Sequence, residues 1–131
     1  MKAEHLQFFI SNVSFGGNID FYCNAEDLKT IGMSLRKFPS KIDDEYRYEI
    51  GSENPADRWA YYFLMRAYTT DSVGHCAIQF AINKNAIEPY EGNCRFSIQA
   101  DAASINRLGV LFEKFSKLED FKFEWSPELS E

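Results

Sequence analysis

Two apolar stripes at helical spacing interrupt a chain that otherwise alternates apolar and polar residues, and that mixture of periods restricts it to a layered α+β arrangement. The first stripe, Leu28, Ile31, Leu35 and Phe38, lies in residues 24–38. Asn24 stands where a cap is needed, Glu26 and Asp27 fall in the first turn, and Pro39 stops the helix. The second stripe, in residues 101–118, is Ile105, Leu108, Leu111, Phe112, Phe115 and Leu118, with Asp101 as cap.

Period two marks the strands. Leu6, Phe8 and Ile10 alternate, as do Ile19, Phe21 and Cys23, and Ser14-Phe15-Gly16-Gly17-Asn18 between them reads as a hairpin turn. Further strands are predicted around Tyr46-Tyr48-Ile50, over residues 58–70, and around Cys76-Ile78-Phe80-Ile82, Cys94-Phe96-Ile98 and Phe121-Phe123-Trp125. The predicted fold is two-layer: an antiparallel sheet of about six to seven strands with two helices on one face, in the order ββαββ-ββαβ. One domain spans residues 1–131, and residues 126–131 form a polar, acidic tail expected to fray.

The two halves, residues 1–56 and 75–125, correspond. Gly17-Asn18-Ile19-Asp20-Phe21 matches Gly92-Asn93-Cys94-Arg95-Phe96 at a spacing of 75, and the helices match at 77, Asn24 with Asp101 and Gly32 with Gly109. This spacing predicts an internal pseudo-repeat. A glycine beside each apolar stripe costs roughly 0.5–1 kcal/mol of helix stability relative to alanine and signals close approach, so both helices are expected to lie tight on the same face of one antiparallel sheet.

Aromatic residues make up 16% of the chain, with 12 Phe and 7 Tyr, enough to build a substantial core. A net charge of −6 argues against a nucleic-acid partner, whose affinity comes mainly from Lys and Arg. No apolar run approaches the roughly 20 residues of a membrane helix. Met1-Lys2-Ala3-Glu4-His5 has no apolar run behind its lysine, so no export signal is read there. A cytoplasmic location and reduced thiols at Cys23, Cys76 and Cys94 are expected.

Catalytic and metal motifs are not apparent. His5 and His75 lie far apart, and the cysteines lack CxxC spacing. Asp71-Ser72-Val73-Gly74-His75 holds acid–base ingredients in the form of a turn. Residues Asp43 to Asp57 are an acidic loop, suited either to solvation or to a basic partner. The polar phase of the strands is the most informative feature. It carries Tyr22, Arg47, Tyr62, Arg66, Tyr68 and Arg95, the side chains enriched at interface hot spots. It equally suits a solvated face of cross-strand Arg–Glu pairs. Strand 58–70, apolar or aromatic on both phases, must be covered on both sides, by protein or by a partner.

The run from Ile19-Asp20-Phe21 through Ile31-Gly32, Leu35 and Phe38-Pro39, with Trp59, Arg66 and Asp71-Ser72-Val73-Gly74-His75 beyond it, resembles a group of small bacterial proteins of unknown function over most of the chain. In size and acidity the chain more loosely resembles the immunity proteins that neutralise bacterial toxins. The resemblance implies no assigned activity and assigns no site residue.

The expectation is a non-catalytic binding protein without cofactor or metal, immunity-like, whose partner is a basic toxin or effector. Its contacts are Tyr22, Arg47, Tyr62, Arg66, Tyr68 and Arg95, or else the acidic loop. Two alternatives stand beside it: a small-molecule binder or enzyme taking an anionic ligand on the same face, and a homodimer burying the aromatic strand against its own copy.

Overall fold

Each helix starts at the end of a strand, and in both cases the cap expected from the sequence makes the join. The computed structural model describes residues 3–127. β2 (Gly16–Asn24) runs into α1 (Ala25–Arg36), where Asn24 accepts from the Asp27 N–H at 2.9 Å and the Asp27 carboxylate accepts from the Asn24 N–H, a reciprocal capping box. β6 (Gly92–Asp101) runs into α2 (Ala102–Phe115), with Asp101 accepting from the Ser104 N–H at 2.8 Å.

The fold is α+β with antiparallel strands. Among the described residues six strands fall in two sheets where the sequence suggested one. β1 (Ala3–Ser11) pairs with β2 as a two-stranded hairpin, its turn held by the Asn12 side chain, which accepts from the N–H groups of Ser14 and Phe15. β3 (Glu45–Gly51), β4 (Tyr61–Thr69), β5 (His75–Lys84) and β6 form the second sheet in that order.

The expected last strand, residues 121–125, is not a strand. Its apolar residues are used in another way. Phe123 sets its ring edge-on to Phe112 and Phe115, and Trp125 Nε1 donates to the Ser104 carbonyl at 2.9 Å. Phe123 and Trp125 thus pack along α2 without a ladder, while Phe121, on the same phase, is 90% exposed. Ser126, at the start of the expected tail, is tied to α2, because Arg107 donates to its carbonyl. Residues 128–131 of the expected tail lie outside the described residues.

Phe63 on β4, fully buried, joins the two sheets: its ring meets Phe8 at 5.4 Å, Phe21 at 5.2 Å and Tyr48 at 6.4 Å. β2 crosses the inner face of the larger sheet. A Cβ at Gly17 would lie 2.9 Å from Cys94 Sγ and 3.3 Å from Ile82 Cδ1, while Phe21 stacks on Phe63 of β4. Leu28, Ile31, Leu35, Ile105, Leu108 and Phe112 bring both helices into the same core. α1 crosses α2 at the paired glycines. A Cβ at Gly32 would meet the Gly109 carbonyl oxygen at 2.7 Å, and a Cβ at Gly109 would meet the Gly32 carbonyl oxygen at 2.7 Å. Arg36 and Glu113 form an ion pair beside the crossing. Asn106, from α2, donates to the carbonyls of Leu35, Arg36 and Phe38. It thereby adds a side-chain donor to the carbonyls at the end of α1 and just beyond it.

Candidate binding face

The face of the larger sheet turned away from the core is a regular lattice. Arg47, Arg66, Gln79 and Ser97 stand opposite one another in one row across β3 to β6, and Glu49, Leu64, Ala81 and Arg95 form the next. Glu45, Tyr68, Ala77 and Gln99 form a third.

Arg47 and Arg66 are direct cross-strand partners, which alone would be repulsive. Glu45 resolves the conflict. Its Oε2 lies 2.8 Å from Arg66 Nη1 and 3.7 Å from Arg47 Nη1, and Glu49 takes the Arg47 Nε at 3.4 Å. Arg66 is further fixed by donating from Nε to Gln79 Oε1 at 2.9 Å, and its guanidinium carbon lies 4.0 Å from the centroid of the Tyr68 ring, a cation–π contact. The Tyr68 hydroxyl is 3.1 Å from Ser97 Oγ. The expected Arg–Glu pairs of a polar sheet face are therefore present.

The lower part of the face is covered by the chain itself. Gly51, at φ 86, turns the chain out of β3 in a conformation that disfavours side chains. Residues 52–60 then reach across to β5 and β6. Glu53 accepts from Asn83 Nδ2 at 3.0 Å and lies 3.6 Å from Arg95 Nη2, while Asn85 donates to the carbonyls of Ser52 and Trp59. Leu64 is 1% exposed and Tyr62 is 8% exposed. The expected strand 58–70 is shorter, β4 starting only at Tyr61, and its cover comes from the preceding loop and neighbouring side chains.

Two of the six expected contact residues consequently separate from the rest. Tyr62 is buried with little surface left to offer, and donates its hydroxyl to Glu49 Oε2 at 2.6 Å. Tyr22 lies on the other sheet, on the outward side of the hairpin, its ring 5.1 Å from that of His5. Alternation assigns a residue's phase, not its sheet, so the sequence could not separate Tyr22 from the others. Arg47, Arg66, Tyr68 and Arg95 do share one face. The expected acidic loop, Asp43 to Asp57, is divided by β3: before it Asp44 accepts from the Ser40 N–H at 2.7 Å, and after it Asp57 accepts from the Ser52 hydroxyl at 2.6 Å. Those carboxylates shape turns.

Burial first, and then its bond to Glu49, push the Tyr62 phenol up to about 12. The same bond, with help from Arg47, holds the Glu49 carboxyl below the usual carboxylate range. A raised phenol contributes stability that is fully present below its unfolded value of about 10 and is lost as pH rises through about 12. A lowered carboxyl contributes stability present above about 4.3 that is lost as pH falls. Tyr62→Phe is expected to cost about 0.5–1.5 kcal/mol at neutral pH. In urea titrations the gap between wild type and variant should close as pH rises above about 10; a gap constant through that range would contradict this assignment.

Elsewhere the chemistry is quiet. Asp71 accepts from the N–H groups of Val73 and His75 and meets His75 Nδ1, all within an exposed turn. The His75 bond, ahead of that from Val73, holds the Asp71 carboxyl below its usual range. Burial, then nearby Asp27 and Glu4, raise the Cys23 thiol to about 11. Among the described residues no group of three His, Cys, Asp or Glu is placed to hold a metal. Among the described residues no helix is long and apolar enough to cross a membrane. Two shallow depressions lie on α1, one lined by Thr30, Met33, Ser34 and Lys37 and the other by Met33, Arg36, Lys37 and Glu113. Neither is on the outward sheet face. No protein-family model, curated protein or solved structure matches the chain.

Proposed function

We propose that this chain acts by binding another protein, without catalysis, through Arg47, Arg66, Tyr68 and Arg95 on the outward face of the four-stranded sheet. The observation that carries the reading is the setting of Arg66, fixed by Glu45, Gln79 and the Tyr68 ring. Such a guanidinium loses little side-chain entropy when a partner docks, and pre-organisation of that kind raises affinity. Arg and Tyr on a rigid, open sheet suit a protein surface better than a small ligand, which favours concave sites.

The three arginines of the face lie against Glu45, Glu49 and Glu53, so the net charge of −6 is carried by the rest of the surface. That surplus favours a basic partner through steering at longer range. An immunity-like inhibitor of a basic toxin or effector, acting in the cytoplasm, is the form of the reading that size and charge favour.

The test is a titration against the bound polypeptide. Arg66→Ala combined with Tyr68→Ala should weaken binding by about 30-fold or more, the scale of a hot-spot loss. Tyr22→Ala, on the separate hairpin, should leave binding unchanged. Equal affinity for the wild type and the double variant would overturn the assignment of this face.

A further inference from the structure

β1 takes its ladder hydrogen bonds from β2 alone, in an unbroken register from Ala3 opposite Asn24 to Ser11 opposite Gly16. A long, regular edge strand is a template for another chain, and proteins blunt such edges with charges, proline, bulges or a cover. The other edges here carry those guards. Edge strand β3 alternates Glu45, Arg47 and Glu49 along its outward side. At the β6 edge the Asn12 side chain donates to the Ser97 carbonyl at 3.0 Å. β2 has Asp20 at its midpoint, so pairing with its own copy about that point would oppose two carboxylates. β1, Ala-Glu-His-Leu-Gln-Phe-Phe-Ile-Ser, holds no proline, lysine or bulge. Its Phe9 is 72% exposed.

β1 is also complementary to itself. Antiparallel pairing about a two-fold axis at Gln7 places His5 opposite the partner's Phe9, Leu6 opposite the partner's Phe8 and Glu4 opposite the partner's Ile10. Gln7 meets the partner's Gln7 on the axis. No like charges oppose one another, and the aromatic and aliphatic pairs are of the kind that stabilises sheets. An isologous contact of this form closes on itself. Pairing of this kind would join the two hairpins into one four-stranded sheet in the order β2-β1-β1-β2.

We infer that β1 is a self-association edge, pairing antiparallel with β1 of a second copy of this chain. The edge uses residues of β1, none of which belongs to the proposed binding face on the four-stranded sheet, so the two are tested separately.

Sedimentation equilibrium over a concentration series tests it with the full chain. The wild type should approach twice 15.2 kDa. Gln7→Lys should weaken dimerisation at least about tenfold, because two ammonium groups then meet on the axis. The variant should remain folded by circular dichroism, since residue 7 is exposed and stands opposite Asp20 of its own hairpin. Mixing Gln7→Lys with Gln7→Glu should restore the dimer. A wild type that stays at 15.2 kDa up to its solubility limit would overturn the inference. So would a Gln7→Lys dimer as tight as the wild type, which would locate the interface elsewhere.

Discussion

Gly109→Ala should destabilise the protein by about 2–3 kcal/mol, the scale of overpacking in a filled core, at a helical position where alanine normally gains up to about 1 kcal/mol over glycine. The reversal of sign follows from the helix crossing. A Cβ at residue 109 would lie 2.6 Å from the Arg36 nitrogen and 2.7 Å from the Gly32 carbonyl oxygen. Both are backbone atoms, so relief requires moving a helix. Gly32→Ala meets the same barrier, with Glu113 N and Gly109 O each at 2.7 Å, and should cost a similar amount. The double variant should cost less than the two single losses combined, because one displacement of α1 from α2 relieves both contacts. Val110→Ala, on the exposed side of α2, serves as the control and should be close to neutral. Urea unfolding of the four variants measures this, and a stabilised Gly109→Ala would contradict the crossing.

Phe63→Ala should have the largest single effect, about 3–5 kcal/mol. Phe63 is 0% exposed and touches the rings of Phe8 and Phe21 from the hairpin and Tyr48 from β3. Its removal therefore leaves a cavity at the junction of the two sheets. The loss should be uneven across the molecule. Amides of β1 and β2, which depend on that junction for burial, should lose hydrogen-exchange protection before those of β5 at the centre of the larger sheet. Phe63→Leu, which retains most of the volume, should cost about 1–2 kcal/mol. Uniform loss of protection in Phe63→Ala would show that the hairpin is held by other contacts.

Local features were legible in the residues, and non-local ones were not. Asn24 and Asp101 cap the helices as their positions require, because a cap acts over three residues. Gly32 and Gly109 announced a close approach but not its partner: it was expected against the sheet, and each glycine lies against the backbone of the other helix. The division into two sheets was hidden because alternation fixes which side of a strand is buried and leaves its neighbour open. The same limit grouped Tyr22 with residues of a different sheet. Residues 121–125 carry a strand's pattern while Phe123 and Trp125 serve α2. Asn106 gave no signal, since its acceptors at the end of α1 lie about 70 residues earlier. Cross-strand Arg–Glu pairs were an expectation for the candidate face, whereas the neutralisation of Arg47 by Glu45 and Glu49 of its own strand was found only in the structure. That Glu45 also holds Arg66, and that residues 52–60 fold over Tyr62, depends on register and loop path.

Native mass spectrometry on tagged wild type and on the Arg66→Ala, Tyr68→Ala variant, purified gently and in parallel from the same cells, tests the central claim most directly. The expected result is a polypeptide bound to the wild type and lost from the variant, with the variant's own fold intact. A polypeptide held equally by both, or by neither, would contradict the claim that the outward sheet face is a binding surface.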